Sequence, residues 1–271
     1  MRPTTPGDRA RYAYLPANAP IRALGDMART PPGFERVAVE AGSFAAFLRG
    51  LPLRAAGASV RSFDREIIVD GDDPRLYAVA ELDVGHRDLQ QCADSAIRLH
   101  AEWLWSRGLA SQAAYRFVSG DVATFSAYAA GERPLVAANR VRWERRAEPR
   151  SDRVAYRAFL EVVFTYASTL SLARELVHVA RAEVSPGDVF VAPGSPGHAV
   201  LVLDVARDRH GRRVALLGQG YMPAQDFHVL ASAEEGLSPW FSLETESVKT
   251  PFWPKPFSWA QLGRFARPTE H

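Results

Sequence analysis

From residue 188 the chain turns into short apolar runs separated by turn residues. Residues 188–191, 198–206 and 213–219 each have the length and composition of a strand, and Asp208-Arg209-His210-Gly211 supplies the turn between the last two. Residues 227–230 offer one strand more. Upstream the period is helical. Leu89, Cys92, Ala96, Leu99 and Trp103 recur at spacings of three and four, which predicts a helix over 89–107, capped by Asp88 and stopped by Gly108. The longest helical pattern covers 153–182, with Phe159, Val163, Tyr166, Leu170 and Leu176 on one stripe. Thr165, Ser168, Thr169 and Ser171 leave room for a break there.

Shorter elements fill the first half. Expected are helices over 21–28, from Ser43 to Gly50 and over 124–130, and strands over 60–63, 66–69, 77–82 and 115–118. Helices lead and a strand meander follows, which is an α+β order. The expected organisation is an irregular segment over 1–35 and then one domain over 36–271. That domain divides into N-terminal elements (36–85), a helical part (86–182), a sheet (183–231) and a wrapping tail (232–271). Pro251-Phe252-Trp253-Pro254-Lys255-Pro256-Phe257 in the tail is too rich in proline for regular structure, and its aromatics are expected to lock it to the core.

Composition narrows the function classes. The chain has 271 residues, 47% hydrophobic and 24% charged, which is ordinary for a globular protein. Its 33 basic and 31 acidic residues nearly cancel, so no nucleic-acid groove is implied. The run Arg140-Val141-Arg142-Trp143-Glu144-Arg145-Arg146 mixes signs and reads as a solvated face or loop. No stretch is long and apolar enough to span a bilayer, and residues 1–9 lack the apolar core of a signal peptide. Cytoplasm is the default compartment, with periplasm or secretion if an export signal was removed. One cysteine excludes an intrachain disulfide and a cysteine-rich metal site.

That cysteine carries the candidate chemistry. Cys92 lies near the start of its helix, and His198 opens a strand after Pro196-Gly197. A thiol is a poor nucleophile until a helix N-terminus or an imidazolium lowers its pKa, and the helix start supplies the first. His198 would be the base. Gln219, on the strand the hairpin folds back, is the first choice to orient it, because Asp204 lies roughly 20 Å along the same strand at about 3.3 Å per residue. Gln90 and Gln91 could donate to an oxyanion with the Cys92 backbone. His228 is a substrate contact or an ordinary strand residue. Asp83, His86 and Asp88 could bind a metal with His198 or His228, though their spacing fits no ligand motif.

Two resemblances add to this. Residues 15–265 resemble an uncharacterised bacterial family catalogued as domain of unknown function 4846. The carriers are Asp88-Leu89-Gln90-Gln91-Cys92-Ala93-Asp94, Gly187-Asp188-Val189-Phe190, Pro196-Gly197-His198-Ala199-Val200 and Gln219-Gly220-Tyr221-Met222-Pro223. More locally, the cysteine helix with Gly187-Asp188 and Gly197-His198-Ala199-Val200 is similar to the NlpC and CHAP (papain-like) peptidases and amidases. That resemblance implies an antiparallel sheet packed on the cysteine helix, with Cys92 as nucleophile, His198 as base and Gln219 as orienting residue. The chain departs from those enzymes in having Gln91 before the cysteine, Ala93-Asp94 after it, and a separation of 106 positions from cysteine to histidine.

The expectation is therefore a cysteine hydrolase or acyltransferase acting on an amide or ester, with a small-molecule or peptide substrate and no cofactor. The alternatives are a non-catalytic ligand-binding member of the same fold, and a metal-dependent enzyme using Asp83, His86 and His198.

Overall fold

The computed structural model describes residues 5–15, 22–138 and 140–269; the expected helix start at Ile21 lies outside them. The architecture is mixed α+β, built on a nine-stranded sheet whose pairings are antiparallel. Across the sheet run Leu76–Val79, His228–Leu230, Arg213–Gln219, His198–Asp208, Asp188–Ala192, Leu262–Arg264 and Val177–His178. Phe34–Arg36 and Phe241–Ser242 pair with the far halves of the two longest strands. The three strands expected at 188–219 form its centre, and the 208–211 turn joins the last pair.

Both faces of the sheet are covered, so its strands are apolar throughout rather than alternating. On one face Val189, Val191, Ala199, Leu201 and Leu203 pack on the cysteine helix and its neighbours. On the other, Phe190, Val200, Val202 and Leu217 pack under the C-terminal segment, through Phe241, Val248 and Phe257. Simple alternation would put Asp204 on the His198 face. A bulge between Val202 and Asp204 instead exchanges the faces, so Val205 continues the tail side and Ala206 the helix side. Asp204 then meets Arg36 at 2.7 Å and Arg49 at 2.6 Å, an ion-paired anchor well away from the imidazole.

The cysteine helix spans Cys92–Ser106, shorter than expected, with Gln91 rather than Asp88 at its N-cap. Asp88 accepts instead from the Gln91 side chain and from the Ala224 N–H, tying the helix entry to the segment after Gly220. Residues 92–104 are buried on all sides, because the helix is the central element of the core and not a one-faced cover. Its polar residues therefore need internal partners. Arg98 has them in Glu102 (2.6 Å), Asp83 (2.7 Å) and Gln90 (2.8 Å).

The long pattern at 153–182 breaks where the hydroxyls allow. It forms Arg153–Tyr166, then a second helix, Thr169–Glu175, capped by Ser168, and ends in the edge strand Val177–His178. The basic run at 140–146 is one arm of a partly exposed hairpin, Glu132–Ala137 with Arg140–Arg145. Within the segment expected to be irregular, Pro6–Arg11 and Leu24–Met27 are helical and Phe34–Arg36 joins the sheet. No helix among the described residues is long and apolar enough to cross a membrane.

Candidate active site around Cys92 and His198

Two glycines permit close approaches here, Gly220 to the cysteine helix and Gly197 to the Thr169–Glu175 helix and the neighbouring strand. A Cβ on Gly220 would run into Ser95 Oγ and the Gln91 carbonyl in the first turn. A Cβ on Gly197 would run into Thr169 Oγ1 and the Ala192 carbonyl. Cys92, the first residue of the helix, sits against the main chain on either side of His198. Its sulfur donates to the Gly197 carbonyl at 3.9 Å. Gly187 and Asp188 have a structural part: Asp188 is fully buried and forks onto Arg264 at 2.5 and 2.9 Å, pinning the neighbouring strand.

His198 belongs to a hydrogen-bonded chain across three adjacent strands. Its Nε2 meets Gln219 Oε1 at 2.7 Å, Gln219 Nε2 meets His228 Nε2 at 3.3 Å, and His228 Nδ1 meets the Asp226 carbonyl at 3.0 Å. The proton positions follow from one end. The Asp226 carbonyl can only accept, so His228 carries its proton on Nδ1 and accepts at Nε2. Gln219 therefore presents its NH2 to His228 and its oxygen to His198, which must hold its proton on Nε2. His198 Nδ1 is left with a bare lone pair and no hydrogen-bond partner. Arg54 holds the Asp226 carboxylate at 2.6 and 2.8 Å, steadying the far end.

Aromatic rings close over the imidazole. Tyr221 lies 4.8 Å and Trp253 5.0 Å from it, ring centre to ring centre, with Phe257 at 6.1 Å, and Phe252 meets the His228 ring at 5.8 Å. His198 and His228 have no exposed surface and Cys92 keeps 6%. Burial pushes both imidazoles down to about 4, so both are neutral at pH 7. Burial, helped by the nearby Asp94, also pushes the thiol up to about 11, against the N–H groups of Ala199, Ala93 and Cys92 itself. The expected activation of the resting thiol is thus overturned: desolvation outweighs the helix end, and no imidazolium stands beside the sulfur.

A measurable consequence follows. At pH 7 the thiolate is scarce, so iodoacetamide should alkylate Cys92 at least about a hundred-fold more slowly than it does free cysteine. The rate should climb with pH toward about 11, without a step near neutrality. Mass spectrometry of the intact chain over a pH series reads this directly, and a plateau below pH 8 would refute it.

Other candidate residues have other tasks. Gln90 is buried, and its oxygen is held by Arg98 at 2.8 Å and Arg157 at 3.0 Å, so it serves the core rather than the thiol. Gln91 donates its amide to Asp88 at 3.0 Å. Asp83 is ion-paired with Arg98 at 2.7 Å and Arg157 at 3.5 Å, and His86 is exposed while His198 is sealed under the tail. Among the described residues no three histidine, cysteine or acidic side chains converge as a metal site, so Asp83, His86, Asp88 and His198 do not form one. Tyr221 and Trp253 are the residues sequence reasoning left out of the site. Tyr221 follows Gln219-Gly220 directly, and that proximity was the available clue.

A family model matches residues 24–264. The chain belongs to the family described as domain of unknown function 4846. No curated protein and no solved structure matches it. The matched span contains Cys92, Gln219, His228, the His198 strand and the tail aromatics, so the whole constellation lies inside the family domain.

Proposed function

We propose that the chain is a papain-like thiol hydrolase or acyltransferase, acting on an amide or ester through Cys92 and His198, with Gln219 orienting the imidazole. The observation that carries this is the tautomer relay. Three strands and two further side chains are arranged so that one nitrogen, His198 Nδ1, keeps a free lone pair, while the thiol rests on the adjoining Gly197 carbonyl. A histidine present only to fill the core needs no such chain behind it.

The chemistry is of the general-base kind. With the thiol pushed to about 11 and the imidazole to about 4, the resting pair is neutral and the proton stays on sulfur. As Sγ turns from the Gly197 carbonyl and attacks a substrate carbonyl carbon, Nδ1 takes the thiol proton. The C=O π pair moves onto oxygen, beside the open N–H groups of the first helical turn. The imidazolium then protonates the departing amine or alcohol as its bond to carbon breaks, leaving a thioester on Cys92. Water, or an acceptor nucleophile in a transferase, attacks the thioester with its proton going to Nδ1, and the thiol regains that proton. The substrate is a cell-wall peptide, another amide or a lipid ester.

A chromogenic acyl ester such as p-nitrophenyl acetate tests this. Wild type should release nitrophenol and Cys92→Ala should not, while keeping the wild-type melting curve. Because His198 acts as a base only when neutral, the rate should hold level through neutrality and fall as the pH drops through about 4, instead of near the ordinary 6.5. The same turnover in Cys92→Ala would defeat the proposal. One observation favours a non-catalytic member of the fold: the thiol and the imidazole are nearly sealed and not hydrogen-bonded to one another. That rival predicts no release of nitrophenol by wild type above that of Cys92→Ala.

A further inference from the structure

A cavity of about 410 Å³ lies away from Cys92 and His198, between the C-terminal end of the cysteine helix, the end of the Thr169–Glu175 helix and residues 265–269. Its wall is firmly placed. Gln112 grips the Thr269 backbone from both sides, donating to the carbonyl and accepting from the N–H, each at 2.8 Å. Two opposite charges line it, Glu175 and Arg267. Glu175 accepts the Arg116 backbone N–H at 2.6 Å through Oε2, while the Arg116 guanidinium turns to the Gly120 carbonyl. Among the described residues Glu175 and Arg267 form no ion pair, either with each other or with another group.

His100 supplies the second polar feature. Only 7% exposed, it is hydrogen-bonded through Nδ1 to Tyr115 at 3.0 Å and stacked on Phe265 at 4.2 Å, and its Nε2 has no hydrogen-bond partner among the described residues. It lines the same cavity, as do the apolar Leu104 and Ala114. Burial holds its ring neutral and pushes the Glu175 carboxyl up to about 7, and an ammonium bound beside it would draw that value back down.

We infer that this cavity binds a small zwitterion of the free amino-acid class, with its ammonium on Glu175, its carboxylate on Arg267 and an apolar side chain against Leu104, Ala114 and Phe265. A simple amine would leave Arg267 unmatched and would be repelled by it, and a simple acid would be repelled by Glu175. An α-amino acid, carrying both charges on one carbon, meets both groups when it sits between them, and the size of the cavity is within the range of small-molecule sites. His100 Nε2 gives a third polar contact. The inference is independent of the thiol chemistry and can fail or stand without it.

The test is isothermal titration calorimetry on the full chain, with L-leucine as the probe and isopentylamine and isocaproate as its two halves. Leucine should bind, and each half should bind at least about ten-fold more weakly, since each lacks one charge-assisted contact. Glu175→Gln and Arg267→Met should each weaken leucine by a similar factor. The first variant keeps an acceptor for the Arg116 N–H, and the second alters an exposed side chain, so both should retain the wild-type circular dichroism spectrum. No heat from leucine, either half binding as tightly as leucine, or unchanged affinity in Glu175→Gln would each overturn the inference.

Discussion

Replacing His198 by alanine should slow acylation of Cys92 by about 10²- to 10⁴-fold, the usual loss when a positioned general base is removed. The size of the effect separates a base from a packing residue. Alanine also strands Gln219 Oε1, which costs about 1–3 kcal/mol of stability, so the rate must be read on protein shown to be folded. Gln219→Ala is the companion. It leaves the ring in place but removes the acceptor that fixes its tautomer, so a loss of about ten-fold is expected, smaller than that of the base itself. Stopped-flow release of nitrophenol from an acyl ester gives both rates. Equal rates in wild type and His198→Ala would mean that the imidazole takes no part.

The largest effect on stability is expected at Glu102. Its carboxylate and the Arg98 guanidinium are each 1% exposed and 2.6 Å apart inside the central helix, and Arg153 reaches the same carboxylate oxygen. Glu102→Ala leaves Arg98 with its charge buried and only Asp83, a half-open partner, to balance it. Breaking such a pair from one side costs about 3–5 kcal/mol. Urea unfolding should show that loss as a lower midpoint at unchanged slope. A change under about 1 kcal/mol would mean that water or Asp83 already satisfies Arg98. The double replacement Arg98→Met with Glu102→Leu should recover much of the loss, because it removes both charges together.

The sheet was readable because its strands carry local marks: apolar runs of the right length, a Pro-Gly turn before His198 and an Asp-Arg-His-Gly turn from Asp208 to Gly211. Cys92 and His198 were readable as polar atoms in apolar surroundings. The state of the thiol was not. A helix N-terminus is visible in sequence, whereas the burial that overrides it comes from packing against the His198 strand, more than a hundred residues away. The surroundings of Asp204 were not readable, because strict alternation cannot foresee the bulge after Val202. Asp88 was taken as the helix cap because acidic residues cap helices well, but the Ala224 N–H, far along the chain, competes for it. His228 gave no sign of its place behind Gln219, since that depends on two strands pairing in one register, Gln219 opposite His228. The tail aromatics were expected to lock the tail to the core, and Trp253 and Phe252 do so on the rings of the two histidines.

The most direct test of the relay needs no substrate: nitrogen NMR of the histidine rings in ¹⁵N-labelled protein at pH 7, with His198 and His228 assigned by substitution. The arrangement described here requires two neutral rings of opposite tautomer, His198 protonated on Nε2 with Nδ1 bare, and His228 protonated on Nδ1. His198 carrying its proton on Nδ1, or a charged ring at either position, would contradict it and leave the thiol without a base.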